Sequence, residues 1–382
     1  HLFSKKQPDL NWDNPVVRQE IADMVNFWLD MGVDGFRCDV INNISKDLSA
    51  PGCGYGPHLH EYLHELYERA FQPHGALTVG ETWGLTPQQT LALTGEARGE
   101  LTMSFQFEHL LLGRVGGDKF RRCPVDRTEF VNILAKWEVG LKDDGYPVLV
   151  MENHDQPRSL NKYLPEDSIN YHSTTMLGTF YFFLRGTPYI YQGEELGMVN
   201  ADWESIDDLD DIQTKDQYRR ALAAGLSVEE AMAVVNRRSR DNSRTPFPWT
   251  GGLNAGFTEG TPWLPVAGGH VAVNAEAEGK EPDSVLSYYK KMTALRKDAK
   301  WRDALVLGDF KPCLMEQDAV AAYFREHNGQ RVLVLCNFRG EENLVKTEWT
   351  VGEVLLSNYG ELQLEQKGLV LKPWQAVVLS VE

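Results

Sequence analysis

The chain has 382 residues, of which 42% are hydrophobic and 24% charged, an ordinary composition for a globular protein of about two domains. Its formal net charge of −17 repels phosphate backbones and anionic lipids, which argues against nucleic-acid and membrane partners. The odd set of five cysteines (Cys38, Cys53, Cys123, Cys313 and Cys336) has no metal-ligand spacing, which favours a reduced, cytoplasmic compartment.

The first 300 residues show strands alternating with helices. Asn14 and then Pro15 mark a helix start, which Val17, Ile21, Met24, Trp28 and Met31 continue at helical spacing. Further helices are predicted at 59–70, 129–141, 173–184 and 284–297. Strands are predicted at 33–40, 76–82, 101–107, 147–151 and 189–191. This alternation predicts parallel βαβ units, and five strands amount to part of an eight-stranded (β/α)₈ barrel.

Two further regions complete the predicted organisation. The polar segment 200–282 is a long loop with one helix near 227–238. From residue 301 the pattern is β-rich, with strands predicted at 319–324, 331–338, 351–357 and 369–381. The sequence therefore predicts an α/β barrel domain over 1–300 and a small antiparallel β-sandwich domain over 301–382. The most hydrophobic stretch, 174–184, is too short to span a bilayer.

Charged residues end the first predicted strand. Alternation along 35–40 places Arg37 and Asp39 on one face and Phe36, Cys38 and Val40 on the other. Two charges facing the same way inside a βαβ strand indicate either a structural ion pair or an active site. An arginine beside a carboxylate keeps it ionised, as a nucleophile requires.

The second strand also ends in an acid. Leu77, Val79 and Glu81 share one face, so an apolar row terminates in a carboxylate. Trp83 offers an apolar neighbour of the kind that favours the protonated carboxyl of a general acid. The alternative interpretation is an ordinary surface glutamate at a strand end.

A third polar cluster, 152–158, follows the strand predicted at 147–151. It contains His154, which alone would be a structural histidine, and Asp155, which alone would be a helix cap. All three clusters lie at carboxyl ends of predicted parallel strands, where α/β enzymes place their sites. Paired carboxylates without a nucleophilic Ser or Cys constellation or a metal cluster indicate glycoside hydrolysis, in which one acid attacks and the other protonates the leaving oxygen.

These segments resemble the α-amylase superfamily of glycoside hydrolases. The similar blocks are QPDLNWDNP at 7–15, GFRCDVIN at 35–42, VGETWG at 79–84 and ENHDQPR at 152–158. The resemblance implies that Asp39 is the nucleophile with Arg37 as its partner, and that Glu81 is the acid/base. It also implies that Asp155 is the third catalytic carboxylate, and that His154 and Asp155 hold sugar hydroxyls. The substrate-binding residues that it implies are Arg37, Val40, Trp83, His154 and Arg240.

Within that superfamily the chain resembles the oligo-1,6-glucosidase and dextran glucosidase group. This similarity is seen in two blocks, GTPYIYQGEELGM at 186–198 and SRDNSRTPFPW at 239–249, and in Trp83, the tryptophan of ETWG. Val40 is the residue that the group carries when it prefers α-1,6 bonds. Arg240 matches an arginine that holds the terminal glucose in that group. The alternative is that Arg240 forms an ion pair with Asp241 or with the acidic run 207–211. That acidic run is itself interpreted as a solvated loop. Where relatives use a sugar-binding glutamate, this chain has Gln213.

The resemblance implies a retaining, exo-acting α-glucosidase for α-1,6, and also α-1,4, bonds of short gluco-oligosaccharides. Alternatives are a trehalose-6-phosphate hydrolase, a maltose- or sucrose-type α-glucosidase and, in another class, a non-catalytic binding relative. The five strands would be strands four to eight of the barrel, with the N-terminal segment of that barrel as a partner besides the oligosaccharide. No metal or cofactor is expected in this chain, and a structural Ca²⁺ is expected only in the preceding part of the fold.

Overall fold

The computed structural model describes residues 1–49, 54–314, 319–346, 349–360, 362–365 and 368–382, so Cys53 lies outside the described residues. The chain forms two compact units, one of residues 1–108 and 137–148 and the other of residues 109–136 and 149–382. The four cysteines that are described carry free thiols. Among the described residues, no helix is both long and apolar enough to cross a membrane.

The α-helices and strands of the described residues follow in chain order. The helices are α1 (Pro15–Asp30), α2 (Leu59–Leu66), α3 (Gln72–His74), α4 (Pro87–Thr94), α5 (Arg127–Gly140), α6 (Ser159–Tyr163), α7 (Tyr171–Phe182), α8 (Ile212–Ala223), α9 (Val228–Asn236), α10 (Ala275–Glu278), α11 (Val285–Lys297) and α12 (Arg302–Val306). The strands are β1 (Gly35–Cys38), β2 (Leu77–Gly80), β3 (Met103–Ser104), β4 (Arg114–Val115), β5 (Asp118–Arg122), β6 (Val148–Leu149), β7 (Thr187–Pro188), β8 (Asp309–Cys313), β9 (Val320–His327), β10 (Gln330–Asn337), β11 (Asn343–Val345), β12 (Val351–Ser357), β13 (Gln363–Glu365), β14 (Gly368–Leu371) and β15 (Ala376–Val381).

The first unit contains a parallel sheet in the order β1-β2-β3. The predicted parallel βαβ pattern is confirmed for these strands, although each is shorter than predicted. Gly35 lies opposite Leu77, and a Cβ at this position would come within 1.9 Å of the Leu77 carbonyl oxygen. Only glycine permits this close approach of the two strands.

Helix α1 begins where predicted. The Asn14 side chain accepts a hydrogen bond from the Val16 N–H at 3.0 Å, which caps the helix. The helical spacing is confirmed, although Met24, Trp28 and Met31 from the residues that carry it are exposed. The helix has two apolar rows, and its packing partners select the row of Ala22, Val25 and Leu29, which contacts a cluster that also contains Leu66, Ala70 and Phe71.

The second unit is organised around helix α7, from which Ser173 to Phe182 are all buried. It packs against β10 and β15 of a five-stranded antiparallel sheet ordered β12-β15-β10-β9-β8. The buried Tyr323 hydroxyl and Arg325 guanidinium each donate to a backbone carbonyl at the end of α7, both at 2.7 Å. These bonds satisfy buried polar groups at the helix terminus.

Several predicted elements differ from the structure. The segment 369–381 is two strands in different sheets, because the chain turns at Trp374, where φ is 55°. Residues 189–191 form no strand; β7 ends at Pro188, and the Tyr189 N–H still donates to Leu149 O at 2.8 Å. The loop 200–282 contains helices α8 and α10 besides the predicted one. The sequence analysis also missed α4, α6, α12 and the β4–β5 hairpin.

Candidate functional site

The backbone of the first unit brings Asp39 and Glu81 to the same edge of the parallel sheet. Strands β1 and β2 end at Cys38 and Gly80, which lie opposite each other. The Glu81 N–H donates to Cys38 O at 2.9 Å, and the Ile41 N–H donates to Glu81 O at 3.2 Å. Because these bonds continue the pairing beyond the strands, the two acids leave the sheet as neighbours.

One guanidinium contacts both acids. Arg37 forms an ion pair with Asp39 through Nη1, and its Nη2 lies 2.8 Å from Glu81 Oε2. The Asp39 side chain is 73% exposed, whereas that of Glu81 is 4% exposed. The planar fork of arginine suits this double contact, since its N–H groups point in fixed, separate directions. The structure thus places two carboxylates of contrasting exposure around a single cation.

The buried Glu81 carboxylate receives two further hydrogen bonds. The Val40 N–H donates to Oε2 at 3.1 Å, and Trp83 Nε1 donates to Oε1 at 3.2 Å. Trp83 was expected to be an apolar neighbour of Glu81 and a substrate-binding residue. Its ring does pack on Phe107, with centroids 4.3 Å apart, but its indole N–H faces the carboxylate. With donors on both oxygens, Glu81 meets the requirement that a buried acid be hydrogen-bonded.

Val40 has an unusual backbone conformation. Its φ of 38° and ψ of 39° are left-handed, which is a genuine outlier for a β-branched residue. Such a conformation costs on the order of 1–3 kcal/mol and is characteristically found at functional sites. Here it turns the chain from β1 into the turn of Ile41–Asn43 and directs the Val40 N–H at Glu81.

In the second unit, Asp155 lies in the loop after β6 and accepts from two arginines. Arg240 Nη1 and Arg244 Nη2 each lie 3.0 Å from its Oδ1, and His154 Nε2 lies 3.5 Å from its Oδ2. Arg244 was missed in the sequence analysis. The signal that would have found it is its position four residues after Arg240, across the short helical turn Arg240–Ser243.

Arg240 has a second carboxylate partner, Asp211. Its Nε and Nη2 lie 3.0 and 2.6 Å from Asp211 Oδ1. Burial works to lower the pKa of Arg240, but the hydrogen bonds and charges of Asp211 and Asp155 outweigh it, and the pKa is raised above its usual value. The solvated-loop interpretation is wrong for Asp211, which is fully buried, although Asp207 and Asp210 in the same run are exposed. Gln213 is exposed on the first turn of α8.

A buried ion pair fixes the loop that carries Asp155. Arg158 Nη1 lies 2.8 Å from Glu152 Oε1, and both side chains are almost completely buried. Glu152 also accepts from the Ser159 N–H at 2.6 Å, and Arg158 donates to the carbonyls of Gln192 and Asn242 at 2.7 and 3.3 Å. These bonds tie the loop 152–158 to two other loops of the same unit.

The predicted site residues therefore form two groups. The structure brings together Arg37, Asp39, Val40, Glu81 and Trp83 in the first unit. In the second unit, His154 and Arg240 lie around Asp155. A cavity of about 410 Å³ with mainly apolar walls also lies in the second unit, and its lining includes none of these side chains. No cluster of three or more His, Cys, Asp or Glu side chains suited to a metal occurs within the described ranges.

Comparison with known proteins identifies similar sequences and folds. Residues 1–304 match the alpha-amylase catalytic domain, and residues 320–378 match the alpha-amylase SusG C-terminal domain. The chain is 39% identical to an oligo-1,6-glucosidase of Parageobacillus thermoglucosidasius and to a glucan 1,6-alpha-glucosidase of Streptococcus pneumoniae, in each case over 100% of this chain and 71% of the relative. The crystal structure of Bacillus licheniformis trehalose-6-phosphate hydrolase matches with a TM-score of 0.94 and 36% identity, covering 100% of this chain and 71% of that one.

Proposed function

Because the chain belongs to the α-amylase family of glycoside hydrolases, with that family's TIM barrel and C-terminal antiparallel β domain, we propose that it acts as a retaining, exo-acting α-glucosidase. Its substrates would be short gluco-oligosaccharides with α-1,6 bonds. One observation carries the proposal: the Arg37 guanidinium contacts both Asp39 and Glu81, so an exposed and a buried carboxylate lie around one small space.

The proposed reaction has two displacements. In the first, an Asp39 oxygen attacks the anomeric carbon while the Glu81 carboxyl gives its proton to the departing glycosidic oxygen, and a glucosyl ester on Asp39 forms. In the second, the Glu81 carboxylate takes a proton from water, whose oxygen attacks the same carbon and breaks the ester. Two inversions leave the configuration of the sugar unchanged.

The environments of the two acids support these roles. Asp39 is open to solvent and has a cation against it, as an ionised nucleophile needs. Glu81 is enclosed and its orientation is fixed by three donors, so its carboxyl is held in place relative to Asp39. The strained Val40 backbone serves both residues, because it follows Asp39 directly and donates to Glu81.

We assign sugar binding in the second unit to Asp155, His154 and Arg240. A carboxylate, an imidazole and a guanidinium present acceptors and donors suited to neighbouring hydroxyl groups of a pyranose. Arg244 supports this group, since it shares Asp155 Oδ1 with Arg240. The anchored loop 152–158 would keep Asp155 in place as a sugar binds.

The names of two relatives support α-1,6 bonds, and a second candidate function also has support. The oligo-1,6-glucosidase and the glucan 1,6-alpha-glucosidase are both similar to this chain along its whole length. The match to a trehalose-6-phosphate hydrolase favours that activity as the alternative. Initial rates on isomaltose, maltose, sucrose and trehalose-6-phosphate separate these activities, and we expect isomaltose to be cleaved with the highest kcat/KM.

Asp39→Asn tests the nucleophile. We expect hydrolysis of an aryl α-glucoside to fall by on the order of 10⁴-fold, since an amide oxygen cannot form the ester. Asp34→Asn is the matched control, because Asp34 is exposed one residue before β1 and has no role in the mechanism. Near wild-type activity of Asp39→Asn, with the control also active, would remove Asp39 from its proposed role.

Val40→Ala tests the assignment of linkage preference. We expect the ratio of isomaltose to maltose hydrolysis to fall, because the smaller side chain next to the nucleophile would admit α-1,4 substrates. The measurement is kcat/KM for both disaccharides in the variant and the wild type. An unchanged ratio would exclude Val40 as a determinant of linkage.

We further propose that β1, β2, β3, β6 and β7 are consecutive strands of the family barrel. The two antiparallel sheets of the C-terminal region would form a β-sandwich. The cytoplasm remains the proposed location, on the evidence of cysteine content alone.

A further inference from the structure

Asp211 belongs to the acidic run 207–211, which the sequence analysis gave as an alternative ion-pair partner of Arg240, and this pairing is confirmed. The Asp211 carboxylate is fully buried and N-caps α8, where Oδ2 accepts from the Thr214 N–H at 3.2 Å and from its hydroxyl at 2.7 Å. The Asp211 N–H in turn donates to Asp241 Oδ2 at 2.8 Å. The helix terminus therefore holds the Asp211 carboxylate, while the buried Asp241 carboxylate holds the Asp211 backbone N–H.

The other oxygen of Asp211 faces Arg240. Asp211 Oδ1 contacts both Nε and Nη2 of the guanidinium, at 3.0 and 2.6 Å, and only Nη1 is directed at Asp155. Two contacts on one edge of a planar group fix both its position and its rotation. An exposed surface ion pair has no such effect, because solvent screens the charges and the side chains move.

We infer that Asp211 is a positioning residue, which holds the Arg240 guanidinium so that Nη1 meets Asp155 and the pair presents a fixed set of groups to the sugar. This inference rests on the proposed function, and it adds a residue that contacts no substrate itself. In the absence of the Asp211 carboxylate, Arg240 retains one contact on Asp155, where Arg244 competes for the same oxygen. The guanidinium is then free to rotate about that single contact.

Asp211→Asn tests this role in the whole protein. The amide keeps the shape and one oxygen to cap α8 but loses the charge that binds Arg240. We expect KM for an aryl α-glucoside to rise and kcat/KM to fall by about 10- to 100-fold, the range for outer-shell partners and for small displacements of substrate-positioning groups. Asp207→Asn is the control, since Asp207 lies exposed in the same acidic run and should leave both constants unchanged.

A double-mutant cycle distinguishes positioning from a general structural effect. If Asp211 acts through Arg240, the Asp211→Asn/Arg240→Ala double variant should have a kcat/KM within about twofold of Arg240→Ala alone, because coupled residues are not additive. If Asp211→Asn instead causes a general structural defect, the decreases in kcat/KM of the two single variants should multiply in the double variant. The concentration of active sites should then fall while KM stays unchanged. Active-site concentration is measured by burst titration with a slowly released aryl glucoside.

The outcomes separate this inference from the proposed function. Absence of α-glucosidase activity in the wild type would defeat the proposed function. An active wild type with an unchanged KM in Asp211→Asn, or with fully multiplicative losses in the cycle, would overturn the positioning role alone. Asp211→Glu adds a conservative check: it restores the charge but moves it by one methylene, and we expect it to recover part of the lost kcat/KM.

Discussion

The two units of the molecule combine arginine and carboxylate side chains in opposite proportions. In the first, one arginine lies between two carboxylates, Asp39 and Glu81. In the second, one carboxylate, Asp155, lies between two arginines. By the formal charges of these side chains, the first arrangement has excess negative charge. The second has excess positive charge.

The units also differ in how the backbone supports these groups. Asp39 and Glu81 follow adjacent parallel strands directly, and the strained Val40 completes their arrangement. Asp155 lies in a loop, whose order depends on the buried Glu152–Arg158 ion pair. In the first unit both acids therefore share the Arg37 guanidinium, whereas in the second Arg240 and Arg244 share the Asp155 carboxylate. The predictions below test that difference.

Among the variants that alter these arginines, the largest effect is expected for Arg37→Lys. A lysine ammonium is a point charge without the fork that contacts two carboxylates, so one of them would lose its partner. We predict a decrease in kcat/KM for an aryl α-glucoside of about 10²- to 10³-fold, comparable to loss of one preorganised charge-stabilising group. Arg69→Lys is the control, because Arg69 forms an exposed ion pair with Glu65 in the same unit. A loss below about threefold would contradict the shared-cation arrangement.

A smaller effect is expected for Arg244→Lys. Asp155 keeps its contact with Arg240 in this variant, so we predict a decrease in kcat/KM of roughly tenfold, about the value of one charged hydrogen bond. Arg220→Lys, at an exposed ion pair with Asp216, is the matched control. A loss as large as that of Arg37→Lys would show that the two arginines on Asp155 do not share one task.

A third test concerns stability instead of activity. Burial, together with the charge of Glu152, raises the pKa of Glu194 to about 8, against donors such as the Tyr181 and Tyr289 hydroxyls that work to lower it. Above its ordinary pKa the unfolded chain releases this proton while the folded chain retains it. The free energy of unfolding should therefore fall as pH rises from 5 to 8, by at most about 1.4 kcal/mol per pH unit.

Glu194→Gln removes that proton equilibrium and keeps a polar side chain between the tyrosines. Chemical denaturation at pH 5, 6.5 and 8 should show the stability difference between the variant and the wild type shifting in favour of the variant as pH rises. Glu166→Gln, at an exposed position, should follow the wild type at every pH. A constant difference between Glu194→Gln and the wild type across this range would show that Glu194 ionises normally in the folded chain.

The sequence predicted the strand-end acids because their positions depend on local patterns. Alternation along β1 correctly placed Arg37 and Asp39 on the exposed face, with Phe36 and Cys38 packed against a core cluster. The alternation argument was weaker for β2, where Leu77 is exposed although Val79 and Glu81 are buried. The contact between Arg37 and Glu81 could not be predicted, since it depends on the pairing register of two strands.

The rest of the candidate site depends on contacts between distant segments. Asp211 reaches Arg240 across 29 positions, and nothing in an acidic run distinguishes the one buried carboxylate from its exposed neighbours. Asp211 could have been recognised as the N-cap of α8, since aspartate favours that position. The helix itself was missed because the segment was predicted to be a long polar loop. The buried face of α1 could not be predicted for a related reason, because tertiary packing selects between two apolar rows.

The most direct test of the central claim is to trap the glucosyl ester. A fluorinated glucosyl fluoride should inactivate the wild type, because its glucosyl ester forms quickly and is hydrolysed slowly. Peptide mass spectrometry should then locate one glucosyl adduct on Asp39. The Asp39→Asn variant should acquire no adduct, while Asp34→Asn should be labelled like the wild type. An adduct on Glu81 or Asp155, or turnover that proceeds with inversion and without any covalent species, would contradict the proposed mechanism.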